Sequence, residues 1–245
     1  MTTKVVPGIL IATPDAEQAY KEAASRMART IRDAVSARGR AAIALSGGNT
    51  PKPAYAAIAK DPKIDWSRVD VFFVDERAVA PTSDRSNFRM VREALIEPAK
   101  IADDHVFRMR GEETDLAEAA RDYEAEIKKT LRSGVPPSFD LVVLGVGDDG
   151  HTASLFPGRP EVEITDRLVV SVPSHAGLEP RITLTAPVIE AARHVMVMAL
   201  GKSKHDPLER VWEVSGSKKD TPARLVRDVR GAITWVIDRA AGGMG

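Results

Sequence analysis

No cysteine occurs in the 245 residues, which excludes disulfides, thiol catalysis and zinc–thiolate sites. No sign of charge prevails: 35 basic residues face 35 acidic ones. Nothing electrostatic therefore points to nucleic acid or an anionic membrane as a partner. No apolar run approaches the ~20 residues needed to cross a bilayer. The stretch 5–13, VVPGILIAT, is short, and no basic region leads into a long apolar one, so it is not expected to be a signal peptide. Internal repeats, low-complexity tracts and long linkers are also absent from the sequence. These absences fit a protein expected in the cytoplasm. Its length allows one large α/β domain or two small ones, with a substantial core.

What is present is an alternation of two patterns. Residues 9–12 read as a short edge strand, and Thr13-Pro14-Asp15 as an N-cap, a proline at N1 and an early acid. Apolar residues from Ala16 to Val35 recur at helical spacing up to Gly39, a stop. A small buried strand over 41–45 and a helix through Tyr55 and Ile58 follow. Residues 69–74 predict a strong strand that ends in a charged loop, 75–77; a turn at 81–85 and a helix over 87–96, stopped near Pro98, come next. Residues 105–107 suggest a short strand. Thr114 is the expected cap of a second long helix, with Leu116, Ala119, Ala120, Tyr123, Ile127 and Leu131 on one face. A break over 133–137 precedes the apolar run 139–144. Strands are expected at 168–172, 181–185, 194–200 and 233–237, and helices at 187–193, through Leu208, Val211 and Trp212, and from Thr221-Pro222. This order predicts an α/β fold, a single domain over 1–245. Its mostly parallel sheet is flanked by helices on both faces, Rossmann-like, with some antiparallel pairing around 168–185.

The run 139–144 breaks into Gly145-Val146-Gly147-Asp148-Asp149-Gly150-His151. A strand entering such a loop places polar groups at its C-terminal end, where open α/β sheets bind ligands. Asp149 and His151 are close enough in sequence to point toward one site; the alternative is a polar turn with His151 at the surface or capping a helix. Ser46-Gly47-Gly48-Asn49-Thr50-Pro51 follows a strand and opens a helix, the physical recipe for an anion site. A tight turn capped by Asn49 or Thr50 is the alternative there. The segment is neither a Walker A motif nor a GxGxxG. In a parallel sheet, the loops at 46–50, 75–77, 147–151 and 201–204 would open at one edge. Two anion-binding features, several carboxylates, one imidazole and the cations Arg181, Lys202 and Lys204 suit a small phosphorylated metabolite better than a polymer.

The segments SGGNTP (46–51), VDVFFVDER (69–77), LGVGDDGHTASLFPG (144–158), RITLT (181–185) and LGKSK (200–204) resemble the 6-phosphogluconolactonases, in order and over nearly the whole chain. The resemblance implies an α/β fold shared with glucosamine-6-phosphate deaminase. It also implies hydrolysis of 6-phospho-D-glucono-1,5-lactone to 6-phosphogluconate, the second step of the oxidative pentose phosphate pathway, with no metal and no cofactor. By motif position it makes His151 the general base. Ser46, Gly47, Gly48, Arg181 and Lys204 would hold the phosphate, and Asp75, Arg77, Asn87 and Asp149 would line the sugar-ring end. A neutral imidazole of ordinary pKa ~6.5 can take a proton from water near neutrality. Asp149 is expected to orient the ring, and Arg77 or backbone N–H groups to meet the oxyanion. The expected partner is the sugar phosphate alone, bound by a monomer or weak homo-oligomer.

Two rivals stand beside this reading. An amino-sugar phosphate deaminase or isomerase would carry an Asn-Glu pair where this chain has Leu155-Phe156. A non-catalytic sugar-phosphate sensor would not need His151, and no helix-turn-helix pattern is read here for DNA contact. Of the other histidines, His105 and His194 are expected to be structural, His205 to cap a helix, and His175 to sit in a loop over the site.

Overall fold

The structure, a computed structural model, describes residues 3–131 and 134–244; position 133, the start of the expected break, lies outside them. Six strands form a parallel sheet: β1 (Ile9–Thr13), β2 (Ala41–Leu45), β3 (Val69–Phe73), β5 (Leu141–Gly145), β8 (His194–Ala199) and β9 (Ala232–Asp238), in the order β1-β9-β8-β5-β2-β3. Three more, β4 (Asp75–Arg77), β6 (Val169–Val172) and β7 (Arg181–Leu184), form a small antiparallel sheet in the order β4-β7-β6.

The strand alternation sorts the core into two layers. Ile43, Leu45, Leu141, Val143, Met196, Met198 and Val236 face α1 (Ala16–Arg38), α2 (Lys52–Ile58), α3 (Asn87–Val91) and α4 (Glu97–Ala99). Ala42, Ala44, Val142, Leu144, Val195, Val197 and Trp235 face the other way. They meet α5 (Leu116–Leu131), α6 (Ala186–Glu190), α7 (His205–Trp212) and the small sheet. The expected α/β architecture, with helices on both faces and antiparallel pairing around 168–185, is observed.

Several local expectations are corrected. Asp15, not Thr13, caps α1: its carboxylate accepts from Gln18 N at 2.8 Å, while the Thr13 hydroxyl is spent on the carbonyls of Asp15 and Ile237. Asp115, not Thr114, accepts from Ala117 N and Glu118 N at the start of α5. In both places the acid nearer the helix takes the exposed N–H groups. Residues 75–77 are a strand, not a loop, paired with β7. The helix that begins at Asn87 does stop near Pro98, at Ala99, but it continues beyond Ile96 through a wide π turn, Arg92–Ile96, in which Glu97 N reaches back to Arg92 O. Residues 105–107 hold only one bridge, Val71 to Val106.

The loops after β2, β5 and β8 open at the carboxyl end of the parallel sheet, as expected. The charged triplet 75–77 reaches the same place by a different route, as a strand of the small sheet beyond the end of β3.

Candidate active site

A cavity of about 520 Å³ lies at this edge, lined by Ser46, Gly47, Asp75, Arg77, Asn87, Asp148, Asp149, His151, Phe156, Arg181 and Lys204, among others. Nine of the ten residues that the family resemblance assigned to the site line it. Gly48 does not; it turns beside it in the left-handed region (φ 93°) with open space where a side chain would be.

The loop after β5 holds its imidazole by its own backbone. Gly147 N donates to His151 O at 2.8 Å, and Gly150 N to Gly147 O at 2.9 Å. Asp149 Oδ1 accepts from both His151 N (2.9 Å) and His151 Nδ1 (2.6 Å). A Cβ on Gly147 would lie 2.0 Å from His151 Nδ1, so the loop closes this tightly only around glycine. Burial opposes ionisation of Asp149, but the His151 N–H and the imidazole outweigh it and hold the carboxyl below its usual range. An ionised carboxylate only accepts, so Nδ1 carries the proton and the lone pair of the neutral ring sits on Nε2. Phe156 lies against the imidazole, with ring centroids 4.8 Å apart, and against His175 at 4.3 Å. His175 lies in a turn beside the site, bridged to Leu178, which lines the cavity.

The opposite wall comes from β4 and the start of α3. Asn87 Nδ2 donates to Asp75 O (2.9 Å) and Asp75 Oδ1 (3.1 Å). Its Oδ1 is buried without a partner and so close to Gly47 that a Cβ there would lie 1.8 Å away. Gly47 is therefore required by Asn87, a reason the anion-site reading did not contain. Arg181 stands opposite Arg77 in the β4–β7 ladder, 3.8 Å from Asp75 Oδ2 and over the Phe156 ring. Arg77 donates to Arg85 O. Lys204, across the β5 loop from Ser46, pairs with Asp148 Oδ1 at 2.6 Å.

Four contributors were not legible in sequence. Glu76 is buried and accepts from Arg77 N, Asn87 N, Phe88 N and Ser86 Oγ, at 2.8–2.9 Å. Burial dominates and keeps its pKa above the usual value despite those donors. It ties β4 to the N-terminus of α3 and so sets Arg77 and Asn87 together. Ser154 Oγ donates to Asp75 Oδ2 at 2.6 Å. Phe156 and Asp148 complete the set. Glu76 and Asp148 sit in the charged loops read from the sequence, and Ser154 and Phe156 in the motif 144–158, but no role at the site was read for any of the four.

The histidines set aside earlier are structural where expected. His194 bonds Thr30 and Thr234 on either side, and His105 bonds Asp70. Among the described residues, no group of three or more His, Asp or Glu side chains converges as metal ligands. No described helix is long and apolar enough to cross a membrane.

Comparison with known proteins shows the family of the chain. Residues 14–235 match the family described as glucosamine-6-phosphate isomerases/6-phosphogluconolactonase. A 6-phosphogluconolactonase of Synechocystis sp. is 39% identical over 214 residues, 86% of this chain and 88% of that protein. One from Streptomyces coelicolor is 34% identical over 248 residues, 95% of this chain and 92% of that protein. The solved 6-phosphogluconolactonase of Trypanosoma brucei superposes with a TM-score of 0.87 at 27% identity, covering 98% of this chain and 99% of the other. The chain belongs to the glucosamine-6-phosphate isomerase/6-phosphogluconolactonase family.

Proposed function

We propose that the protein hydrolyses 6-phospho-D-glucono-1,5-lactone to 6-phospho-D-gluconate, with His151 as general base. The observation that carries this is the Asp149–His151 pair. It leaves Nε2 free at a cavity wall that also offers Arg77, Arg181 and Lys204. A lactone is an activated ester and asks for no covalent nucleophile. His151 Nε2 takes a proton from water as the water oxygen adds to the carbonyl carbon. Asp149 steadies the imidazolium that forms. Arg77 supplies donors to the oxyanion, which collapses as the bond from the carbonyl carbon to the ring oxygen breaks. The imidazolium returns the proton to that oxygen. Ser46, the Gly47-Gly48 backbone, Arg181 and Lys204 hold the phosphate, and Asp75 and Asn87 the sugar hydroxyls. The reading is of a cytoplasmic enzyme without metal or cofactor, acting as a monomer or weak homo-oligomer.

The deaminase reading is disfavoured by one observation. Where that pattern places a glutamate near the histidine, the apolar ring of Phe156 lies against the imidazole. The test is lactone hydrolysis measured above the spontaneous rate, run beside ammonia release from glucosamine 6-phosphate. Enzymatic lactone turnover without ammonia is expected. Ammonia release without lactone turnover would replace the reading by its rival, and neither activity would favour a sensing module.

A further inference from the structure

Among the cavity's carboxylates, the one most open to solvent has no part in the proposed reaction. Asp148 lines the cavity with 67% of its side chain exposed, against 22% for Lys204. Its Oδ1 accepts from Lys204 Nζ at 2.6 Å and from Ser203 Oγ at 3.1 Å, and its backbone carbonyl accepts from Arg210 Nη2 at 3.2 Å. Arg210 thus anchors the loop while the carboxylate itself faces the cavity. The bond to Lys204 comes first among the causes that hold Asp148 below the usual carboxylate range, so it is charged at neutral pH.

A cation assigned to bind phosphate is therefore already paired with a carboxylate of its own chain. A phosphate reaching Lys204 breaks one ion pair, makes another and meets a carboxylate of its own sign. Because Asp148 is exposed, it can turn into water without leaving a buried, unpaired charge. The exchange is reversible and its cost modest.

We propose that Asp148 is a displaceable internal counter-ion of the phosphate subsite, lowering the affinity of Lys204 for phosphate monoesters and for free phosphate alike. This rests on the reading that Lys204 holds the substrate phosphate. A penalty shared by substrate, product and inorganic phosphate acts on binding rather than on the barrier from bound substrate. It raises KM, speeds departure of the product and keeps the site clear of inorganic phosphate.

The probe is inorganic phosphate, titrated by calorimetry and as an inhibitor of lactone hydrolysis at fixed ionic strength. The proteins are wild type, Asp148→Asn, Asp148→Ser, Lys204→Met and the double variant Asp148→Asn/Lys204→Met. Both Asp148 variants are expected to bind phosphate about two- to fivefold more tightly than wild type. Lys204→Met should bind it more weakly, and Asp148→Asn should gain less in that background than alone. Unchanged or weaker binding in both Asp148 variants, with Lys204→Met still weakened, would overturn the counter-ion and leave the phosphate reading intact. No effect of Lys204→Met would overturn the reading of Lys204, and the counter-ion with it.

Discussion

Replacing Gly147 by alanine sets a methyl carbon 2.0 Å from His151 Nδ1 and 2.7 Å from Asp149 Oδ1. Ordinary contact begins near 3.4 Å, so the imidazole or the loop must move by more than ~1 Å. The backbone has little freedom to absorb this, because Gly147 N and O are both bonded within the loop, to His151 O and Gly150 N. The ring must then leave the carboxylate that fixes its tautomer. A displacement of about 1 Å in a positioned catalytic group costs about 10²-fold in rate. We expect Gly147→Ala to lose about that factor in kcat/KM. The loop lies at the sheet edge rather than in the core, so the far-UV spectrum and thermal midpoint should change little. The assay follows 6-phosphogluconate from lactone generated in place, with spontaneous opening subtracted. A correctly folded Gly147→Ala protein within about threefold of wild type would refute the claim that catalysis needs the imidazole where this loop holds it.

Two further predictions concern the scaffold. The hydroxyl of Tyr123 donates to Phe73 O at 3.1 Å and accepts from Phe73 N at 2.7 Å, satisfying the outer edge of β3 in a buried position. Tyr123→Phe leaves both backbone groups unpaired and is expected to cost about 1–3 kcal/mol in urea unfolding; a loss below about 0.5 kcal/mol would contradict it. Glu124 accepts from Leu168 N and Val169 N and pairs with Lys128, and these outweigh the burial that opposes its ionisation, so its folded pKa lies below the ordinary 4.5. Its stabilisation is complete above that ordinary value and is lost as pH falls through the lower folded value. The difference in unfolding free energy between wild type and Glu124→Gln should therefore shrink between about pH 6 and about pH 3; a constant difference would contradict the assignment.

The parallel sheet was legible because its strands are short apolar runs buried on both faces, set between helices of clear periodicity. Pairing between distant segments was not. Asp75, Glu76 and Arg77 read as a charged loop, at the site or merely solvated, and not as a strand, since nothing local shows that residues 181–183 lie beside them. Glu76 for the same reason gave no sign of being a buried strut. The stop near Pro98 was legible, but the π turn that carries the helix on to Ala99 left no local signal. Helix starts were misplaced by a residue or two where threonine and aspartate compete, because sequence does not show that Thr13 is already engaged with Ile237. At the site, the motif residues were visible through their loops. Ser154 and Phe156, which position Asp75 and press on His151, acquire meaning only once residues 75, 151 and 181 converge.

The most direct test of the account is single-substrate kinetics of His151→Ala beside wild type near neutral pH. If His151 Nε2 takes the proton from water, kcat falls by about 10²–10⁴-fold, while KM and the thermal midpoint stay close to wild type. If the variant turns over lactone at the wild-type rate, His151 is not the base, and the pair it forms with Asp149 has some other purpose.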